Sequence, residues 1–448
     1  MKKIAVAFIV IGLLLNTIIA LGNERTAITV AIESVGDDIF SMISEITEEN
    51  VTYYLTKLVN NYPGRVVGSK NCRNARNYYI YNELKSNSNL NVYKENWKMW
   101  GDISHPGYFS GANVLAELPG TSENPMVFVF LVHHDCKKVS PGADDDGSGV
   151  AALLTAASVM SKYSFKHTIL FCSSEGEEKG LLGDYHHAKW SYKNDVNIAA
   201  AITADAIGYN GEHKMGPNSV ILYKTERSNW ISDLILDVNS TYSCDIGLSK
   251  VDSRNYYSHA SGDSAYEDYG YYNLKFFEGI TNPGWEPPAS GTNDTLDKID
   301  FSYLTNVTKL IVGTLGTLAN MQVLEPEVKI TSPKEDTRYI NGRAGIFPLT
   351  KGGTKVRGSI KVEAEVKDID NVSYVNFSLL KGYNENAPEN RQVLTWNIIY
   401  EPSNGSTYEW VIDYNKKYLG ENTIRVTVYD ENYNCKSDEI EVKFCFII

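Results

Sequence analysis

The chain has little of what announces a specialised protein. Its six cysteines in 448 residues (Cys72, Cys136, Cys172, Cys244, Cys435 and Cys445) are too few and too scattered for a disulfide framework, and none forms the Cys-x-x-Cys pair of a structural zinc site. Only Cys435 and Cys445, which flank the last strand pair, suggest a bridge. No block of lysine and arginine stands out and the formal charge is −13, which argues against a nucleic-acid surface. No internal repeat is present, and no histidine follows His259. The one long apolar run is residues 4–21, behind Lys2 and Lys3, with Ala20 and Gly22 at the −3 and −1 positions of a cleavage site before Asn23. It reads as a signal peptide over residues 1–22, with a membrane anchor as the alternative. Either way the body of the protein is expected to be secreted or on the extracellular face of the membrane. Seven Asn-x-Ser/Thr sequons, Asn376 among them, are compatible with that.

What is there is an ordinary globular composition, 43% apolar and 22% charged, in a chain long enough for two or three domains. Residues 38–61 and 70–86 repeat apolar positions at helical spacing, with YPGRVVGS between them as a turn. LNVYKENWKM and NVLAELPG read as strands. From residue 126 short apolar runs (126–133, 167–173, 197–205 and 274–280) alternate with helical stretches, the pattern of strands covered on both faces. The expected fold over residues 23–324 is therefore α/β, a mostly parallel mixed sheet flanked by helices. Near residue 325 the texture changes to period-two segments separated by Gly, Asn and Pro turns, and residues 325–448 read as a C-terminal all-β sandwich of the immunoglobulin type.

In open parallel sheets the sites lie beyond the carboxyl ends of the strands. His133 ends the first apolar strand, Glu175, Glu177 and Glu178 follow the second, and Asp205 ends the third, while HHDCKKVSPGADDDGSG (133–149) supplies further aspartates. Carboxylates crowded this way repel each other strongly unless cations neutralise them, so a metal centre is the economical reading. His with Asp and Glu suits zinc, and a spare carboxylate suits two ions. Asp144 and Asp146 read equally well as turn formers or a helix N-cap. Glu175 reads as a solvated carboxylate, and His134, His186 and His187 as surface or packing residues.

HHDCKKVSPGADDDGSG, EGEEKGLLG (175–183) and DAIGY (205–209), in that order and spacing, resemble the three successive motifs of the secreted di-zinc aminopeptidases, the group of metallopeptidase family M28 that also contains glutamate carboxypeptidases. The resemblance runs from about residue 40 to 321 and takes in YPGRVVGS, NVLAELPG and NDTLDKID. It implies a zinc-exopeptidase fold and two Zn2+ ions, with Mn2+ or Co2+ as alternatives. It further implies that His133, Asp145, Glu178 and Asp205 are metal ligands, with Asp145 bridging, that Glu177 is the general base, and that Asp135 accepts the other N–H of His133. A cis Asp145–Asp146 peptide is implied as well.

The pattern breaks at the fifth ligand, a histidine in the family. Counting back from Gly270 and Tyr271 puts Asp263 in its place, with His259 as the alternative, and a second family variant would put its histidine at Ser290. The expected function is an aminopeptidase acting on peptides or proteins with a free N-terminus. A carboxypeptidase of the same fold, with Lys137, Lys138 or Lys179 holding the substrate carboxylate, and a catalytically weakened surface binding protein are the alternatives. Contact of the C-terminal domain with a cell surface is a further expectation.

Overall fold

The computed structural model describes residues 36–211, 217–225, 228–252, 262–278, 291–320, 328–345, 353–367, 372–381, 393–400, 402–403, 406–430 and 435–445. The apolar leader at 4–21, His259 and Ser290 lie outside the described residues, as does the side chain of Asp263. Among the described residues no helix is long and apolar enough to cross a membrane.

Eight strands build the central sheet: β1 (Asn91–Trp100), β2 (Tyr108–Leu118), β3 (Val127–His133), β4 (Thr168–Ser174), β5 (Ile198–Ala204), β6 (Ser219–Lys224), β7 (Gly247–Asp252) and β8 (Tyr272–Glu278). Their order across the sheet is β1-β2-β4-β3-β5-β8-β6-β7. The middle four, β4, β3, β5 and β8, run parallel, and β1 and β2 extend them as an antiparallel pair. The continuous apolar runs are continuous because both faces are covered. Along β3, Phe128, Phe130 and Val132 enter the core under helices Glu48–Asn61, Gly147–Met160 and Phe301–Ala319. Val129 and Leu131 face the opposite way, against the layer that holds Ala188, Tyr266 and Tyr269.

Residues 38–61, expected as one helix, are two, at 36–45 and Glu48–Asn61. Thr47 takes an extended backbone and its side chain accepts from the Asn50 amide, so it caps a new helix whose first turn carries Glu48 and Glu49. Strands β6 and β7 are additional to those expected, although β6, SVILYK, is itself a short buried apolar run. β7, an edge strand, is exposed or half-buried along its whole length and has no alternation to read.

Beyond residue 327 a seven-stranded and a three-stranded sheet enclose a second core around Val362, Phe377, Trp410 and Val426. Tyr429 of this region packs back onto the first domain against Trp230 and Tyr272 and stacks on Tyr374 at 4.6 Å. Asn376 is buried in the same seam and donates to the Tyr272 hydroxyl at 3.2 Å. The suggested Cys435–Cys445 bridge is ruled out. The two residues bracket a single strand, Cys435–Phe444. At about 3.3 Å per residue its ends are far beyond the roughly 7 Å that a disulfide can span, and Cys445 is a free thiol.

Candidate metal centre

The site grows from strand ends. His133 is the last residue of β3, in register with Ser174, the last of β4. Its amide donates to Asp146 Oδ2 at 3.0 Å. The other oxygen of Asp146 accepts from Gly149 at 3.0 Å, capping helix Gly147–Met160, and from Ala206 at 3.4 Å, just past β5. One buried carboxylate thus locks three elements around the crevice, so Asp146 is the helix cap that the sequence allowed. The Asp145–Asp146 peptide is cis.

His133 Nε2 is buried with no hydrogen-bond partner in the structure. It faces Asp145 Oδ1 at 3.4 Å, Asp205 Oδ1 at 3.8 Å and Glu177 Oε2 at 3.9 Å. Donor atoms of His133, Asp145 and Asp205 all lie within 4.8 Å of one another, close enough to share one ion. Burial would depress the His133 imidazole, but Glu177, Asp145 and Asp205 hold it well above its ordinary range, so the local field favours a cation. An orphaned imidazole nitrogen with two converging carboxylates is a donor set that fits zinc. Glu177 and Glu178 sit on a 3-10 turn, Glu177–Lys179, directly after β4. Burial, with the neighbouring carboxylates, raises Glu177 well above the ordinary carboxyl range, and burial with Asp145 pushes Glu178 up to about 8.

Two basic side chains reach the same carboxylates. Lys137 Nζ lies 2.8 Å from Asp145 Oδ2 and 4.0 Å from Glu178 Oε1. The buried Lys275 on β8 reaches Asp205 Oδ2 at 3.6 Å. Asp263 falls in the first turn of the short helix Gly262–Asp268.

Two expectations change. Asp135 does not orient His133 through its carboxylate, which stands 3.8 Å from Nδ1; the closer contact, 3.1 Å, is to the Asp135 backbone carbonyl. The carboxylate instead accepts from the amides of Gly176, Glu177 and Glu178 at 2.8, 3.3 and 3.3 Å, so it shapes the turn that carries Glu177 and Glu178. Glu175 is not solvated but fully buried. It pairs with Arg76 and accepts from the amides of Gly68 at 3.3 Å and Ala112 at 3.1 Å. His134 and Cys72 lie within ligating distance of Glu175, yet the arginine already neutralises that carboxylate.

Other residues that the sequence left without a role hold the loop between His133 and Asp145. Buried Arg65, in the YPGRVVGS turn, donates to the carbonyls of His134, Pro141 and Gly142 at 2.8, 3.2 and 2.7 Å. Gly142 has φ +71°, and a Cβ there would stand 2.7 Å from that guanidinium, so only glycine serves. Asp294, in NDTLDKID, accepts from Ser140 Oγ at 2.8 Å and from the amides of Asp144 and Asp145 at 2.5 and 3.4 Å. Burial and the adjoining Asp294 carboxylate push Asp144 up to about 7, against its hydrogen bonds to Glu278 and Gly208.

Residues 113–315 match the model of Peptidase family M28. A probable zinc metalloprotease of Pyrenophora tritici-repentis is 27% identical over 189 residues, 38% of this chain and 39% of that protein. The chain thus spans about two fifths of the length of this curated relative. Among solved structures, the LapA aminopeptidase of Legionella pneumophila superposes with a TM-score of 0.53 at 19% identity, covering 64% of this chain and 75% of that one. A glutaminyl cyclase of Fimbriiglobus ruber superposes at 0.51 with 15% identity, covering 60% and 95%. Likeness at these identities establishes the fold.

Proposed function

Residues 113–315 belong to peptidase family M28, and from that premise we propose that the chain is an exported zinc exopeptidase that removes residues from the N-terminus of peptides. The observation that carries this reading is the buried, unpartnered Nε2 of His133 facing Asp145, Asp205 and Glu177 within 3.9 Å. His133, Asp145 and Asp205 would hold a zinc ion, and Asp145 with Glu178 would begin the second position that the di-zinc resemblance implies. The chemistry that such an ion supplies when bound is Lewis acidity toward the attacking water and the scissile carbonyl.

The chain's own residues supply the proton path and the orientation. Glu177 binds no ion in this scheme. Its Oε2, 3.9 Å from His133 Nε2, is placed to take the proton of the attacking water and return it to the leaving amine. Asp135 fixes that carboxylate by holding the Glu177 and Glu178 amides. The acid-rich crevice attracts a substrate ammonium, whereas Lys137, a basic residue of the 133–149 loop itself, is engaged by Asp145 and so is poorly placed to grip a terminal carboxylate. This favours the amino end.

The test compares hydrolysis of a leucyl peptide with that of its N-acetylated twin, with and without chelator. Cleavage of the free-amine peptide alone, abolished by chelator and reduced about 100-fold or more by Glu177→Gln, is the expected result. Chelator-sensitive cleavage of both peptides would move recognition to the carboxyl end. No cleavage of either would leave a binding role for the same crevice.

A further inference from the structure

We propose that the ammonium of Lys137 takes the second cation position of this centre, so that the chain binds one zinc ion where the di-metal arrangement would bind two. The inference rests on reading the crevice as a metal centre, and concerns only how its second half is filled.

Three observations converge. Asp145 points its two oxygens in different directions: Oδ1 is 3.4 Å from His133 Nε2, on the side of the His133, Asp145 and Asp205 triad, and Oδ2 is 2.8 Å from Lys137 Nζ. Lys137 Nζ stands 4.0 Å from Glu178 Oε1, an oxygen buried with no hydrogen-bond partner in the structure. The lysine therefore lies between the two carboxylates that would share a second ion. The sequence, separately, has Asp263 and Ser290 at the two positions where the resemblance implies a histidine, with His259, four residues before Asp263, as the one histidine nearby.

Charge decides between the two fillings. Asp145, Glu177, Glu178 and Asp205 bring four negative charges to the crevice when ionised, and Lys137 and Lys275 return two. One divalent ion completes the balance among these six side chains. A second ion seated in place of the Lys137 ammonium would leave one positive charge in excess within a buried site, where uncompensated charge is costly. An ammonium is a compact point charge on a flexible stem and can seat between carboxylates without the directional donor set that zinc demands.

The measurement is the metal content of the full chain after equilibration with free zinc, for the wild type and for Lys137→Ala, Lys137→Met and Lys137→Arg. One ion per chain is expected in the wild type and in Lys137→Arg, and a second in the Ala and Met variants. With cobalt instead of zinc, electron paramagnetic resonance should show isolated ions in the wild type and coupled ions in the Ala variant. Two ions in the wild type, or one in both Ala and Met variants, overturns the proposal and leaves the metal centre standing. No ion in the wild type, with His133→Ala indistinguishable from it, removes the metal centre itself and the proposed function with it.

Discussion

Glu175 shows what a single side chain can conceal. In the sequence it is one acid in EGEEKG and looks like its neighbours Glu177 and Glu178. In the fold it joins residues 68, 76 and 112, brought together from the lead-in turn, the π-helical segment Ala75–Ile80 and β2. Burial works to raise this carboxyl, but the His134 ring, the Arg76 guanidinium and the Ala112 amide outweigh it and bring it down to about 2 from an ordinary 4.5. A carboxyl depressed on folding stabilises the native state above its unfolded value, and that contribution is lost as pH falls toward the folded one. At about 1.4 kcal/mol per pH unit, ionised Glu175 contributes about 3 kcal/mol. Glu175→Gln should therefore lower stability by about that amount at pH 7. The gap from the wild type should close as pH drops from about 4.5 toward 2, read by denaturant unfolding across pH. Arg65 was equally hidden: it is fully buried, and three of its four carbonyl partners lie 69 to 77 residues away, beyond the reach of any local pattern.

At the scale of elements, the parallel strands were legible because burial on both faces removes polar positions, as in VFVFLVH of β3. Their carboxyl ends then located His133, Glu177, Glu178 and Asp205, and the structure draws these with Asp145 into one crevice. The support of the loop between them was not legible, because it comes from residues far along the chain. Asp294, about 150 positions beyond Asp144, accepts from the backbone amides of both Asp144 and Asp145. Asp294→Ala should free that loop and weaken zinc binding about 10- to 100-fold. Competition with a chromophoric chelator would measure the change, and the fold itself should persist, since Arg65 still holds the carbonyls of Pro141 and Gly142.

At the scale of the molecule, the two cores meet through aromatic contacts and hydrogen bonds. Tyr429 is fully buried, with Tyr374 beside it on the C-terminal side and Trp230 and Tyr272 across from it, and the nearby Arg425 guanidinium donates to the Gly270 carbonyl. Tyr429→Ala should cost about 3–5 kcal/mol, the usual loss for a large aromatic removed from a packed site. Differential scanning calorimetry should show a lower melting temperature with the metal content unchanged, because the seam lies at the start of β8 and the centre near its far end.

The same seam bears on biosynthesis. Asn376-Phe377-Ser378 is an acceptor sequence for N-linked sugars, yet in the folded chain Asn376 is enclosed and its amide is spent on Tyr272. A bulky oligosaccharide has room there only while the strand is still unpaired. In a host that attaches glycans during translocation, sugar transfer and strand closure compete for one side chain. A molecule modified at Asn376 could not seat its two halves together, so the choice of expression host would decide how much of the product is correctly assembled.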